Sequence, residues 1–151
     1  MHIPFILRNF TKEDENLIYN SYLKSYHSYY PQKFIPDTLY FNPQTEVLDF
    51  LLDTATCVVA CFPEDPSEII AWCIYQEISE ALALHYIYVK GQHRNRYVAT
   101  DMIAQIRNNH NLVIASHVSD DYSKLKHKIH NCKVLYDPYL IGKLQDIEDN
   151  S

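Results

Sequence analysis

Residues 84–103 read Leu84-His85-Tyr86-Ile87-Tyr88-Val89-Lys90-Gly91-Gln92-His93-Arg94-Asn95-Arg96-Tyr97-Val98-Ala99-Thr100-Asp101-Met102-Ile103. The aromatic and β-branched run that ends at Val89 has the composition of a central strand, and Ala81-Leu82-Ala83 extends it backward. Lys90 to Arg96 is polar and basic and breaks the run. Val98, Met102, Ile103 and Ile106 then recur at the three- and four-residue spacing of a helix, which ends near Asn108-Asn109. Leu112 to Ala115 is a short apolar strand. A strand, a crossover helix and a second strand form a βαβ unit, so the two strands are expected to be parallel.

Working outward, Ile3 to Phe10 is extended in character, and Thr11-Lys12-Glu13-Asp14 supplies an N-cap hydroxyl with an acidic residue three positions on. A helix follows with Leu17, Ile18, Tyr19, Tyr22, Leu23 and Tyr26 on its inner stripe, running to about Tyr30 before Pro31 ends it. Pro31 to Asn42 is expected as an ordered loop or helical turn. Asn42-Pro43 is expected to open a second helix that buries Val47, Leu48, Phe50, Leu51 and Leu52. Cys57 to Phe62 and Ile69 to Ile78 form an antiparallel hairpin across the turn 63–67. Ser119-Asp120-Asp121 caps a last helix through about Ile129, and Lys133 to Ile141 is expected as a closing strand interrupted at Asp137-Pro138. The expected organisation is one domain over 1–142 with an acidic, frayed tail over 143–151.

The length of 151 residues suits one domain. Hydrophobic residues make up 47% and charged residues 21%, which excludes general disorder. No apolar run reaches the roughly 18 residues that span a bilayer, and Met1 to Asp14 turns polar too early for a signal peptide, so a cytoplasmic protein without a membrane partner is expected. The net charge of −6 opposes general nucleic-acid binding. Cys57, Cys61 and Cys73 lie in apolar runs and Cys132 stands alone, the pattern of reduced thiols and not of a disulfide scaffold. The chain has 13 Tyr but only 2 Gly, so any glycine-dependent motif must survive in altered form.

The element order is that of an α+β sandwich, which by itself names no chemistry. Two stretches add more. Arg8-Asn9-Phe10-Thr11-Lys12-Glu13-Asp14 resembles the strand-to-helix start of the GCN5-related N-acetyltransferase (GNAT) family. More specifically, Leu84 to Val89, Arg94 and Val98 to Ile103 resemble that family's acyl-CoA motif, a strand ending in Val, then Gln/Arg-x-x-Gly-x-Gly/Ala, then a helix. The resemblance implies a mixed, mainly antiparallel central sheet flanked by about four helices. It implies an acyltransferase that takes acetyl-CoA as cosubstrate and an unidentified amine as acceptor. Main-chain N–H groups of Arg94, Asn95, Arg96, Tyr97, Val98, Ala99 and Thr100 would hold the pyrophosphate, and the strand edge at Ile87, Tyr88 and Val89 would meet the pantetheine amides. The physics agrees: unpaired N–H groups and the positive helix end converge on one point, and Lys90, His93, Arg94 and Arg96 add positive charge. Tyr97 and Asn95 stand where the family usually has glycine. Asn tolerates the left-handed region, whereas Tyr does so poorly, and Gly91 is the one glycine placed to relieve strain in the loop.

Acetyl transfer to an amine requires a group that takes a proton from the amine and one that returns a proton to the thiolate. His85 and Tyr86 occupy the strand positions where the family often has a carboxylate. His85 is the candidate base, the other reading being a packed histidine satisfied by a neighbour, and Glu80 is a second candidate. The family's acid is commonly a Tyr on the next helix, which implies Tyr122, although spacing counted from Asn131 points equally to His127. Ser116-His117 follows the preceding strand where the family often has Asn. A catalytically degenerate GNAT-like binding or structural protein is the alternative. His127-x-x-His130-x-Cys132 has metal-ligand spacing but no evident fourth ligand, so no metal is expected. Hydrolase, nucleotidase and zincin motifs do not occur. The Tyr26-His27-Ser28-Tyr29-Tyr30 cluster lacks the flanking cations of a single-strand nucleic-acid site and is read as core or acceptor-pocket wall. Acceptor identity and oligomeric state are not encoded in any of these motifs.

Overall fold

A computed structural model describes residues 2–29, 32–129 and 131–149. Strand β1 is Ile6–Asn9, shorter than the apolar run that suggests it. Its Arg8 guanidinium reaches Asp14 Oδ2 and Oδ1 at 2.8 and 3.1 Å, while Thr11 donates its N–H (2.7 Å) and hydroxyl (3.2 Å) to the same Asp14 Oδ2. This buried carboxylate ties the strand to a single tight turn at Lys12–Asp14 and to helix α1, Glu15–His27. The arginine holds the Asp14 carboxyl below the usual carboxylate range, against the opposing effect of burial. Helix α1 buries Ile18, Ser21, Tyr22 and Tyr26. Its expected end at Tyr30 and Pro31 lies outside the described residues.

Helix α2 spans Asp37–Thr54 and begins well before Asn42, which corrects the expected start. Pro36, not Pro43, takes the position before the first turn, and Pro43 sits inside the helix. Proline removes only one N–H, the partner of Leu39 C=O, and burial of Tyr40, Leu48 and Leu51 outweighs that loss. The hairpin follows as β2 (Thr56–Phe62) and β3 (Asp65–Ile78), then β4 (Ala81–Val89). The βαβ unit is completed by α3 (Val98–Ile106) and β5 (Leu112–Ala115), with β4 and β5 parallel as expected. Helix α4 is Asp120–Leu125, capped by Ser119 Oγ accepting from Tyr122 N at 3.1 Å, and is shorter than expected.

The chain's end departs from the sequence reading. Strand β6 covers only Lys133–Tyr136, pairs parallel to β5, and is followed by helix α5, Leu140–Asp149. Among the described residues, helix α5 through Asp149 stands where a closing strand to Ile141 and then a frayed tail are expected. Asp137 accepts from Tyr139 N at 2.9 Å and from Lys143 Nζ at 2.7 Å, so the Asp-Pro pair starts a helix instead of interrupting a strand.

The six strands lie in sequence order, β1-β2-β3-β4-β5-β6. One face packs on α1 and α2 through Ile18, Tyr22, Tyr26, Tyr40, Leu48 and Leu51 against Val59, Trp72, Ile74 and Tyr86. The other face packs on α3 through Val98, Met102, Ile103 and Ile106 against Ala71, Cys73, Leu82, Leu84 and Ile87. Trp72 is fully buried, and its Nε1–H finds Ser21 Oγ at 2.8 Å. All four cysteines are free thiols, and burial pushes that of Cys57 up to about 12. Among the described residues no helix is long and apolar enough to cross a membrane.

Candidate functional site

The ladder between β3 and β4 slips by one residue: Ile74 faces Tyr86 and Tyr75 faces Leu84, leaving His85 as the extra residue of a bulge. Strand side chains alternate, but the bulge sends both His85 and Tyr86 to the α1/α2 face, with Leu84 and Ile87 on the other. At the same level β4 and β5 part. Their ladder runs through Leu82–Val113, Ala83–Ile114 and Leu84–Ala115, ending with Ser116 N–H donating to Leu84 O at 3.1 Å.

A buried chain of polar groups crosses this point. His85 Nε2 lies 3.1 Å from Gln76 Oε1, and His85 Nδ1 lies 2.8 Å from Ser116 Oγ. Ser116 Oγ lies 2.9 Å from His117 Nδ1, and His117 Nε2 lies 2.9 Å from the Tyr22 hydroxyl, which meets Gln44 Oε1 at 2.8 Å. Burial pushes His85 down to about 4 and, with the neighbouring His85 adding to it, His117 down to about 3, so both imidazoles are neutral near pH 7. Ser116 has one hydroxyl proton, so it donates to one histidine and accepts from the other. Two proton orders satisfy the chain. In one, His85 Nε2–H donates to Gln76 and Tyr22 donates to His117, with Gln44 turning its NH2 to Tyr22. In the other every donor reverses and Gln76 turns its NH2 to His85. The tautomers of the two histidines therefore change together.

Beyond Val89 the chain makes one tight turn at Gly91–His93 and reaches α3 through Asn95 and Tyr97, both left-handed at φ 64° and 63°. Gly91 is not left-handed and relieves nothing, which corrects the role expected of it. The loop instead takes glycine-like conformations with Asn and Tyr. His2 stacks on the Tyr97 ring at 4.6 Å and reaches Asp101 Oδ2 at 2.8 Å, which draws the ring to the outer side of the first α3 turn. Tyr97 is 46% exposed and stands at the mouth of the cleft without filling it. That cleft is lined by Val89, His93 to Asn95, Tyr97 to Thr100, Lys124, Leu125 and Lys128. Its volume of about 40 Å³ has room for roughly three waters, the scale of a phosphate group. The N–H groups of Val98, Ala99 and Thr100 precede the first intrahelical bond, made by Asp101 N to Tyr97 O at 2.9 Å. Arg94 Nε donates to Val89 O at 3.0 Å, holding the guanidinium against the strand end.

No family model matches the sequence, and no curated protein matches it. Among solved structures, a Pyrococcus furiosus protein assigned as an acetyl transferase superposes with a TM-score of 0.53 at 11% identity, over 95% of this chain and 91% of that one. The fold of this chain is the mixed α+β fold of that acetyl transferase. A GNAT-family acetyltransferase from Staphylococcus aureus aligns with a TM-score of 0.49 at 12% identity over 68% of this chain and 64% of that one, so this chain spans less than two thirds of its length. The PaiA N-acetyltransferase from Thermoplasma acidophilum, solved with coenzyme A, aligns with a TM-score of 0.46 at 13% identity, over 68% of this chain and 69% of that one.

The fold does not bring all the expected residues together. His85 sits at the fork of β4 and β5, while Arg94 to Thr100, with the exposed Arg96 on the loop, surround the cleft at the far end of β4. Tyr122 is buried on α4 one turn before the cleft-lining Leu125; burial and then Tyr136 raise its hydroxyl pKa. His127 is exposed past the end of α4. Glu80 is exposed in the turn before β4, roughly 16 Å along the strand from His85, and is not brought to the fork. His130 of the metal-spaced triplet is outside the described residues, and Cys132 Sγ faces the carbonyls of His110 and Lys133 at 3.9 and 3.7 Å. Sequence reasoning missed Lys124 and Lys128, whose i, i+4 spacing around Leu125 was the available signal. It also missed the link from His85 through Ser116 and His117 to Tyr22, which no local spacing encodes.

Proposed function

We propose that this protein transfers an acetyl group from acetyl-CoA to an amine. The observation that carries the reading is the cationic, amide-lined cleft at the end of β4, beside two parallel strands that part at His85. The pyrophosphate lies against the N–H groups of Val98, Ala99 and Thr100, with Lys124 and Lys128 neutralising it. The pantetheine arm runs back along Ile87 to Val89 and brings the thioester to the fork. The amine nitrogen attacks the thioester carbon, the C–S bond breaks, and the products are an amide and the free thiol of CoA. His85 Nε2 receives the proton lost by the nitrogen. An imidazole held near pKa 4 does not store that proton and gives it up to solvent as the products leave; Tyr22 at the far end of the chain is a protonated hydroxyl and takes no second proton. Tyr122 returns a proton to the departing thiolate, its raised pKa keeping the hydroxyl protonated. Such a protein works in the cytoplasm, where acetyl-CoA is available.

A second reading, a CoA-binding protein without catalysis, is favoured by the full burial of His85 with both ring nitrogens occupied. Titration calorimetry with acetyl-CoA and CoA tests the first step common to both. Binding with submillimolar Kd is expected; none at millimolar ligand rejects both readings. CoA release in the presence of an amine panel separates them.

A further inference from the structure

The α1/α2 face carries a second, larger cleft of about 650 Å³ between the end of α2, the end of β3 and α5. Its walls are apolar: Phe50, Ile78, Leu140, Leu144 and Ile147. On α5 the last three recur at i, i+4 and i+7, one stripe of the helix. Exposure rises along that stripe, from buried Leu140 through half-buried Leu144 to Ile147 at 67%, so the helix and the body diverge and leave the cleft open at one end. Its lining also includes Thr54, Ser79 and Gln76, and the Gln76 carboxamide lies on His85 Nε2. At the rim stands Asp53, an exposed carboxylate with no ion pair or hydrogen bond among the described residues. It lies in the last turn of α2, where the helix dipole disfavours an anion, and it follows Asp49 by one turn. The one cation in the lining, Lys143, is held by Asp137 at 2.7 Å.

We infer that this cleft is the acceptor site and that its occupant is a small primary amine carried on an apolar body, such as an arylalkylamine. The inference rests on the acetyltransferase reading and deepens it. Asp53 and the protein's −6 charge draw the ammonium form to the mouth. The walls desolvate the apolar body, a combination typical of small-molecule sites. The amine end reaches Gln76, and when that side chain turns aside the nitrogen faces His85 Nε2 at the fork, where the acyl carbon is delivered. Diamines without an apolar body fill the walls poorly, and uncharged analogues gain nothing from Asp53.

Amide-resolved NMR titration of the full chain with 2-phenylethylamine, putrescine and 2-phenylethanol tests this without a need for turnover, with acetyl-CoA affinity measured in parallel by calorimetry. Phenylethylamine is expected to shift the amides of Gln76, Ser79, Leu144 and Ile147, and to bind at least tenfold tighter than either control. Ile147→Arg, at an exposed position, is expected to weaken amine binding at least tenfold and to leave acetyl-CoA affinity unchanged. Asp53→Asn is expected to bring phenylethylamine to the level of phenylethanol. Equal affinity for the three probes, shifts confined to other surfaces, or insensitivity to Ile147→Arg overturns the inference. If acetyl-CoA binds and no amine does, this inference alone fails. If the amine binds and acetyl-CoA does not, the acceptor role falls together with the acetyltransferase reading.

Discussion

Acidification should unfold this protein through His85 and His117 before its carboxylates titrate. Both imidazoles are buried and neutral, with pKa values pushed from 6.5 down to about 4 and about 3 by loss of water around the charged form. In the unfolded chain each titrates near its ordinary value of about 6.5. Above that pH the native and unfolded states bind the same protons, and stability is at its full value. Below it the unfolded chain takes up two protons that the native state refuses, so stability falls as pH drops from 6.5 toward 4. Each refused proton costs about 1.4 kcal/mol per pH unit, which makes the limiting slope about 2.7 kcal/mol per unit for the pair. Between pH 6.5 and 4.5 the loss is roughly 5 kcal/mol, comparable with the whole stability of many domains of about 5–15 kcal/mol. Urea unfolding at closely spaced pH values, followed by the fluorescence of the single, fully buried Trp72, measures the slope directly. His117→Gln keeps a polar group between Ser116 and Tyr22 and removes one refused proton, so its slope between pH 6 and 5 should fall by about 1.4 kcal/mol per unit. A wild-type slope of one proton or less, or an unchanged slope in the variant, would refute the neutral buried pair.

Other outcomes follow from the loop, the first strand and the cleft. Tyr97→Gly removes a left-handed non-glycine residue that costs about 1–2 kcal/mol and loses the partly exposed stack on His2, so a net rise in Tm of roughly 2 °C is expected; a fall in Tm rejects strain at that position. Arg8→Ala leaves the Asp14 carboxylate buried without its guanidinium and should destabilise by about 3 kcal/mol in urea unfolding, whereas a change below about 1 kcal/mol would assign that carboxylate to Thr11 alone. Lys128→Glu should weaken acetyl-CoA binding about tenfold and flatten its salt dependence, as calorimetry at two ionic strengths will show. Ser116→Ala should uncouple the histidine tautomers, read from 15N shifts of the two imidazoles; tautomers still matched in the variant would mean that Ser116 does not transmit the order.

The central βαβ unit was legible because its signals are local and agree with one another: a β-branched run to Val89, a polar break, then apolar residues at helical spacing from Val98. The hairpin was legible for the same reason. Helix α2 was misplaced because Asn42-Pro43 carries a helix-start signal that tertiary burial of Tyr40 overrides. Helix α5 was hidden because Asp137-Pro138 reads as a break, and only the Asp137 contacts to Tyr139 and Lys143 turn it into a start. At the site, the main-chain cleft followed from the strand-to-helix transition. The fork could not be read, since whether two parallel strands part depends on a bulge at His85 that only the pairing of β4 with Ile74 and Tyr75 of β3 reveals. The same holds for Tyr22 and His117, which meet on the α1/α2 face of the sheet from positions far apart in the chain.

The glycine-poor turns have a chemical sequel. Among the described residues, Asn95, Asn108, Asn109 and Asn131 supply four of the six left-handed non-glycine positions. Asparagine is thermolabile, losing its side-chain ammonia by hydrolysis to leave a carboxylate. At the other three asparagines that ageing reaction adds charge to a surface bend; at Asn95 it sets an anion in the lining of the phosphate-sized cleft. Long-stored protein should therefore shed affinity for anionic ligands well before it loses its shape, and the lesion should register as a mass gain of about one dalton on the peptide that contains Asn95.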